Sequence, residues 1–103
     1  MRFDLSKVAM KLVCDIFKVK LNEEVAITYD TLSHPAVVEA VASEIVRVGA
    51  KPLLLCVPAP RGVGKAADPD LPLKPLSAAL QNVDVWIEFN QQWLLYSSAF
   101  EAA

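Results

Sequence analysis

Apolar residues recur along this chain at two different periods, and the points where one gives way to the other mark out its elements. From Asp4 to Val19 the period is helical: Leu5, Val8, Ala9, Leu12 and Ile16 share one face, with Lys7, Lys11 and Lys18 opposite. The run Val25-Ala26-Ile27-Thr28-Tyr29 is short, β-rich and largely apolar, and predicts a first strand. Asp30 to Pro35 then reads as a turn with helix-start chemistry. Ser33 or His34 can occupy the N-cap and Pro35 the first helical position, where a missing N–H costs nothing. Val37, Val41, Ile45 and Val48 follow at helical spacing until Gly49, a suitable residue for the left-handed position that ends a helix.

Leu53 to Val57 is apolar at every position and predicts a second strand covered by helices on both faces. Pro58 to Pro72 is a loop rich in proline and glycine. A short helix near Pro75 to Gln81 carries Leu76 and Leu80, and a third strand runs from Val83 to Phe89. That strand alternates: Val83, Val85, Ile87 and Phe89 face one way, Asp84, Trp86 and Glu88 the other, so its second face is either solvated or met by polar groups. Strands alternating with helices, joined by crossover-length connections, imply a parallel sheet. The expected fold is therefore one α/β domain over residues 1–103, three-layered and Rossmann-like, βαβαβ preceded by a helix. At the far end, Ser98-Ala99-Phe100-Glu101 matches a capping box that would open a further helix. With so few residues after it, the expectation is an N-terminal fragment of a longer protein.

Composition sharpens this expectation. Apolar residues make up 54% of the 103, with a mean hydropathy of +0.36. A domain of this size buries only about 60–65% of the surface its unfolded chain exposes. An uncovered apolar face is expected, facing a missing C-terminal domain or a second copy in a homo-oligomer; the alternative is a denser core. Charge is nearly balanced, with 10 basic and 12 acidic residues well mixed. No basic stripe is present for a phosphate backbone, so nucleic acid is not an expected partner. No apolar stretch is long enough to span a bilayer and no signal-peptide core precedes the first charges, so a cytoplasmic location is expected. Cys14 and Cys56 stand far apart without histidine neighbours and are expected to be buried thiols rather than zinc ligands.

Candidate chemistry is sparse. Arg61-Gly62-Val63-Gly64-Lys65 lacks the spacing and the Ser or Thr of a phosphate-binding loop and reads as a surface loop. His34, the only histidine, lies at a predicted helix start beyond the first strand, beside Asp30, Thr31 and Ser33. It could serve as a ligand or catalytic electrophile. A Ser-His-Asp relay among neighbours so close in sequence fails on geometry, and capping or turn roles compete for all four. Glu88, Asn90, Gln91 and Gln92 cluster at the end of the third strand. In a 2-1-3 strand order they would face Asp30 and Thr31 across the switch point, where open α/β sheets bind ligands. The rim candidates are thus Asp30, Thr31, Ser33, His34, Glu88, Asn90 and Gln91. Trp93-Leu94-Leu95-Tyr96, just beyond, would pack under the sheet or contact a missing part.

Leu12 to Val57 resembles the N-terminal domain of aminopeptidase T-like thermophilic metalloproteases. The likeness is greatest in Glu24-Val25-Ala26-Ile27-Thr28-Tyr29-Asp30-Thr31 and in Val48-Gly49-Ala50-Lys51-Pro52, while Asp84 to Asn90 is similar to that family's third strand. The resemblance implies a longer protein whose divalent metal pair is held by glutamate, histidine and aspartate of a C-terminal domain. No such ligand motif can be matched in this chain, so the resemblance assigns it no metal, no cofactor and no catalytic residue. It implies instead a non-catalytic domain that walls the cleft and contributes dimer or interdomain contacts. The alternative is a stand-alone module binding a small ligand, peptide or nucleotide near Asp30 and Asn90.

Overall fold

The computed structural model describes residues 5–59 and 69–89. Three parallel strands, β1 (Glu24–Asp30), β2 (Lys51–Val57) and β3 (Val85–Glu88), form a sheet in the order β2-β1-β3. The middle strand is buried continuously from Val25 to Thr28, having a neighbour on each side and a layer on each face. Val25 lies level with Pro52 and Val85, and Thr28 with Leu55 and Glu88. Alternate residues point to opposite faces. Val25, Ile27 and Ile87 therefore join one core with the N-terminal helix and α2 (Pro35–Arg47), while Ala26 and Val57 join a second with Leu76 and Leu80 of α3 (Leu73–Gln81). The expected three-layer α/β fold is the observed one.

α2 buries Val38, Val41 and Ile45 and stops at Gly49. The Ala50 amide donates to the Ile45 carbonyl and the Gly49 amide to the Val46 carbonyl, each at 3.0 Å. This paired reverse bonding closes the helix end with Gly49 at φ +85°. The Gly49 carbonyl in turn accepts from the Asn22 amide at 2.9 Å, tying the approach to β1 onto the end of α2. Gly49→Ala is expected to lower stability by about 1–2 kcal/mol, the cost of a side chain in the left-handed region. The added methyl would stand 2.3 Å from Leu21 Cδ1, the tip of an exposed side chain that can swing clear. Urea unfolding with an unchanged slope checks this prediction.

The N-terminal helix departs from its expected face. It is α-helical only over Leu5–Met10 (α1) and continues as a π-helical turn over Lys11–Ile16, in which the Phe17 amide reaches the Leu12 carbonyl at 2.9 Å. The i→i+5 pattern winds less per residue than an α-helix. Ala9 and Val13 are buried, whereas Val8 is exposed and Ile16, expected in the core, is 61% exposed.

β2 also differs from expectation. It is an outer strand, and instead of being covered on both faces it leaves Leu53 and Leu54 47% and 39% exposed. Cys14 and Cys56, expected to be buried, are both exposed: Cys14 lies on the π-helical turn, its Sγ 3.9 Å from Glu44 Oε1 of α2, and Cys56 on the outer strand. β3 is shorter than the predicted strand, and Asp84 stands just before it. The Asp84 amide donates to the Glu24 carbonyl and its Oδ2 accepts from the Glu24 amide, both at 2.8 Å, so this carboxylate clamps the start of β1 to β3.

Glu44 is the one acidic residue of α2 on the buried side. Its Oε1 accepts from Arg47 Nε at 2.7 Å and also pairs with Arg47 Nη2. This pairing holds the Glu44 carboxyl below its ordinary value of 4.5, against the opposing effect of burial. A carboxyl depressed on folding contributes stability that is present above its unfolded value and lost as pH falls through the folded one. Wild type should therefore lose its advantage over Glu44→Gln as pH falls from 7 to below 4.5. Urea midpoints of the two proteins at neutral and acidic pH measure this, and a gap that widens in acid would contradict it.

Candidate functional site

The turn after β1 sits at the switch point of the sheet, where β2 and β3 diverge to either side of the middle strand. Thr31 and Ser33 tie it to the ends of the two outer strands. Asp30, 2% exposed, accepts the Leu32 amide on Oδ1 at 2.9 Å, and its carbonyl accepts the Ser33 amide at 3.0 Å. An aspartate that caps its own turn in this way pre-forms the tight reversal. Thr31 turns toward β2: its amide donates to the Val57 carbonyl at 3.1 Å and its Oγ1 accepts the Ala59 amide at 3.1 Å.

Ser33 turns toward β3. Its Oγ accepts the Asp30 amide at 3.0 Å and lies 2.7 Å from the Phe89 carbonyl and 3.2 Å from Asp30 Oδ1. A hydroxyl has one proton to give, and the shorter contact to the Phe89 carbonyl takes it. Ser33 is thus a strap between β1 and β3. The N-cap role falls to His34, which has extended backbone (φ −81°, ψ 107°), accepts the Val37 amide on its carbonyl at 3.2 Å and makes no side-chain cap bond. Pro35 occupies the first helical position, as expected.

Of the sequence candidates, the structure hydrogen-bonds Ser33 to Asp30, turns Thr31 toward the end of β2 and leaves His34 exposed beside them. Glu88 is the last residue of β3. It is half-buried, level with Thr28, two residues below Asp30 on the same sheet face. There the buried Thr28 Oγ1 accepts Trp86 Nε1 at 2.8 Å, so the second face of β3 meets polar groups from β1. Asn90, Gln91 and Gln92 lie outside the described residues, as do the Arg61–Lys65 loop, Trp93–Tyr96 and the capping box at Ser98.

Three participants escaped the sequence reading: the Phe89 and Val57 carbonyls and the Ala59 amide. They are backbone groups, which leave no mark in residue identity.

Beside His34 lies a hollow of about 410 Å³, lined by Leu5, Val8, His34 and Val37. Among the described residues its walls are aliphatic apart from the imidazole, a surface suited to an apolar group. Among the described residues no set of three His, Cys, Asp or Glu side chains converges on a point where a metal could sit. No helix among the described residues is long and apolar enough to cross a membrane. Compared with protein-family models, curated proteins and solved structures, the chain matches none.

Proposed function

We propose that this chain is a non-catalytic α/β domain of a metal-dependent, aminopeptidase-like protein, acting through its contact surfaces in the cytoplasm. The observation that carries the non-catalytic part is how the switch point is used. Asp30, Thr31 and Ser33 direct their side chains to backbone groups of the turn and of the strand ends, while the bare surface of the sheet is aliphatic, at Leu53 and Leu54. Polar groups committed to knitting strands together hold a shape, and exposed leucines on an outer strand offer a surface to a neighbour. The aminopeptidase part is supported by the likeness of Glu24–Thr31 and Val48–Pro52 to that family's N-terminal domain.

The test is a peptidase assay of the 103-residue chain with aminoacyl anilides and added zinc, cobalt or manganese, run beside metal-binding calorimetry. No hydrolysis and no stoichiometric metal uptake are expected. Turnover, or tight one-to-one or two-to-one binding, would overturn the reading. A second reading, a small-ligand module, is favoured by the aliphatic hollow beside His34. Amide shifts of Leu5, Val8, His34 and Val37 upon addition of apolar fragments would support it over the first.

A further inference from the structure

The hydrogen bonds of β2 show which of its residues face the open edge. The Lys51 amide donates to the Glu23 carbonyl at 2.8 Å and the Val57 carbonyl accepts the Thr31 amide at 3.1 Å, both across to β1. Alternate residues of a strand direct their amide and carbonyl to the same side. Residues 51, 53, 55 and 57 therefore pair with β1, and residues 52, 54, 56 and 58 turn outward. The outward set is Pro52, Leu54, Cys56 and Pro58.

Both prolines thus fall where a missing amide breaks no bond to β1. They bracket a short open edge whose only donors are the amides of Leu54 and Cys56. No strand pairs with that edge among the described residues. Side chains above and below it are uncharged from Pro52 to Ala59, and Leu53, Leu54 and Cys56 are exposed. Outer strands of monomers are usually protected by charge or by a bulge. A groove of about 250 Å³ runs from this edge to the start of α3, lined by Leu54, Leu55, Cys56, Val57, Pro72 and Pro75.

We propose that β2 pairs antiparallel with β2 of a second copy of the chain, about a two-fold axis midway between the two copies of Leu55, giving one continuous six-stranded sheet. In this register Leu54 stands opposite Cys56 of the other copy, and each pair exchanges two amide–carbonyl bonds. Pro52 then stands opposite Pro58, neither of which has an amide to satisfy. Shifting the register by two in either direction sets a proline ring against a Cys56 or Leu54 carbonyl, so this is the register that matches every outward donor and acceptor of Leu54 and Cys56. The prolines stop the pairing from spreading, and the two-fold contact is closed. β3, the other outer strand, is a poorer candidate: it is four residues long, carries Glu88 and follows Asp84, so two copies would bring like charges together. The pairing requires nothing of the peptidase relationship, and the assays proposed above do not report on it.

Sedimentation of the 103-residue chain from about 1 to about 500 µM should show a reversible monomer–dimer equilibrium. Leu54→Pro removes an outward amide while leaving the bonds to β1 intact, and should yield folded monomer by circular dichroism and sedimentation. Leu54→Lys, a milder change at an exposed site, should do the same. Cross-linking reads the register. In a Cys14→Ser background under mild oxidation, Leu54→Cys should form a reducible covalent dimer through the facing Cys56. The same protein with Cys56→Ser should not, because position 54 of one copy does not face position 54 of the other. A wild-type chain monomeric over the whole range would overturn the proposal and assign the edge to a different partner. A dimer that survives both Leu54→Pro and Leu54→Lys, or cross-linking that persists without Cys56, would overturn it too.

Discussion

Ile27→Ala is expected to destabilise the domain by about 2–5 kcal/mol, the range for removing a fully buried isoleucine side chain and leaving a cavity. Ile27 is wholly inaccessible to solvent at the centre of β1, with Ile87 on the neighbouring strand and α2 above it. Layers on all sides are already committed to other contacts, so little collapse can fill the space. A domain of this length has about 5–15 kcal/mol in total, making this one of the largest losses available to a single residue. Ile16→Ala is the informative control, because a regular α-helix would place Ile16 in the core. With Ile16 61% exposed beyond the π-helical turn, its loss should stay within about 0.5 kcal/mol. Urea denaturation of both variants measures the contrast; equal, large losses would mean that the helix keeps a regular α phase in solution.

Ser33→Ala should cost about 1–3 kcal/mol, more than its size suggests, since the change strands two backbone groups rather than one side chain. The Asp30 amide loses its acceptor and the Phe89 carbonyl its donor, the first at a buried and the second at a half-buried residue between strand ends. The loss should also be local. The opposite end of the β1–β3 pair is held by Asp84 on Glu24, which the substitution does not touch. Native-state amide exchange should therefore accelerate at Asp30 and Phe89 while Glu24 and Asp84 keep their protection. Uniform acceleration at both ends would show that the strap acts on global stability alone. If Ser33 instead served a ligand, the variant would unfold like wild type.

Much of the architecture was legible in residue order. The largely apolar β1, the proline at the start of α2 and the glycine after it each carry a local physical signature, and each lies where that signature put it. The candidate site was legible only in part. Asp30, Thr31 and Ser33 mark a turn by composition, yet their assignments to the Leu32 amide, to β2 and to β3 depend on which strands lie alongside. Glu88 was read at the end of the third strand and is the last residue of β3, but only the register shows that it stands level with Thr28.

The sequence by itself determined the kinds of element, their order, their caps and the parallel layering, because propensity, period and connection length are local properties. Tertiary structure alone decided which apolar residues are covered. A strand that is apolar on both faces reads the same in the middle of a sheet as at its edge. Only the order β2-β1-β3 makes β1 the core and leaves Leu53, Leu54 and Cys56 bare. The phase of the N-terminal helix was likewise settled by its hydrogen bonds, which turn Val13 inward and Ile16 out.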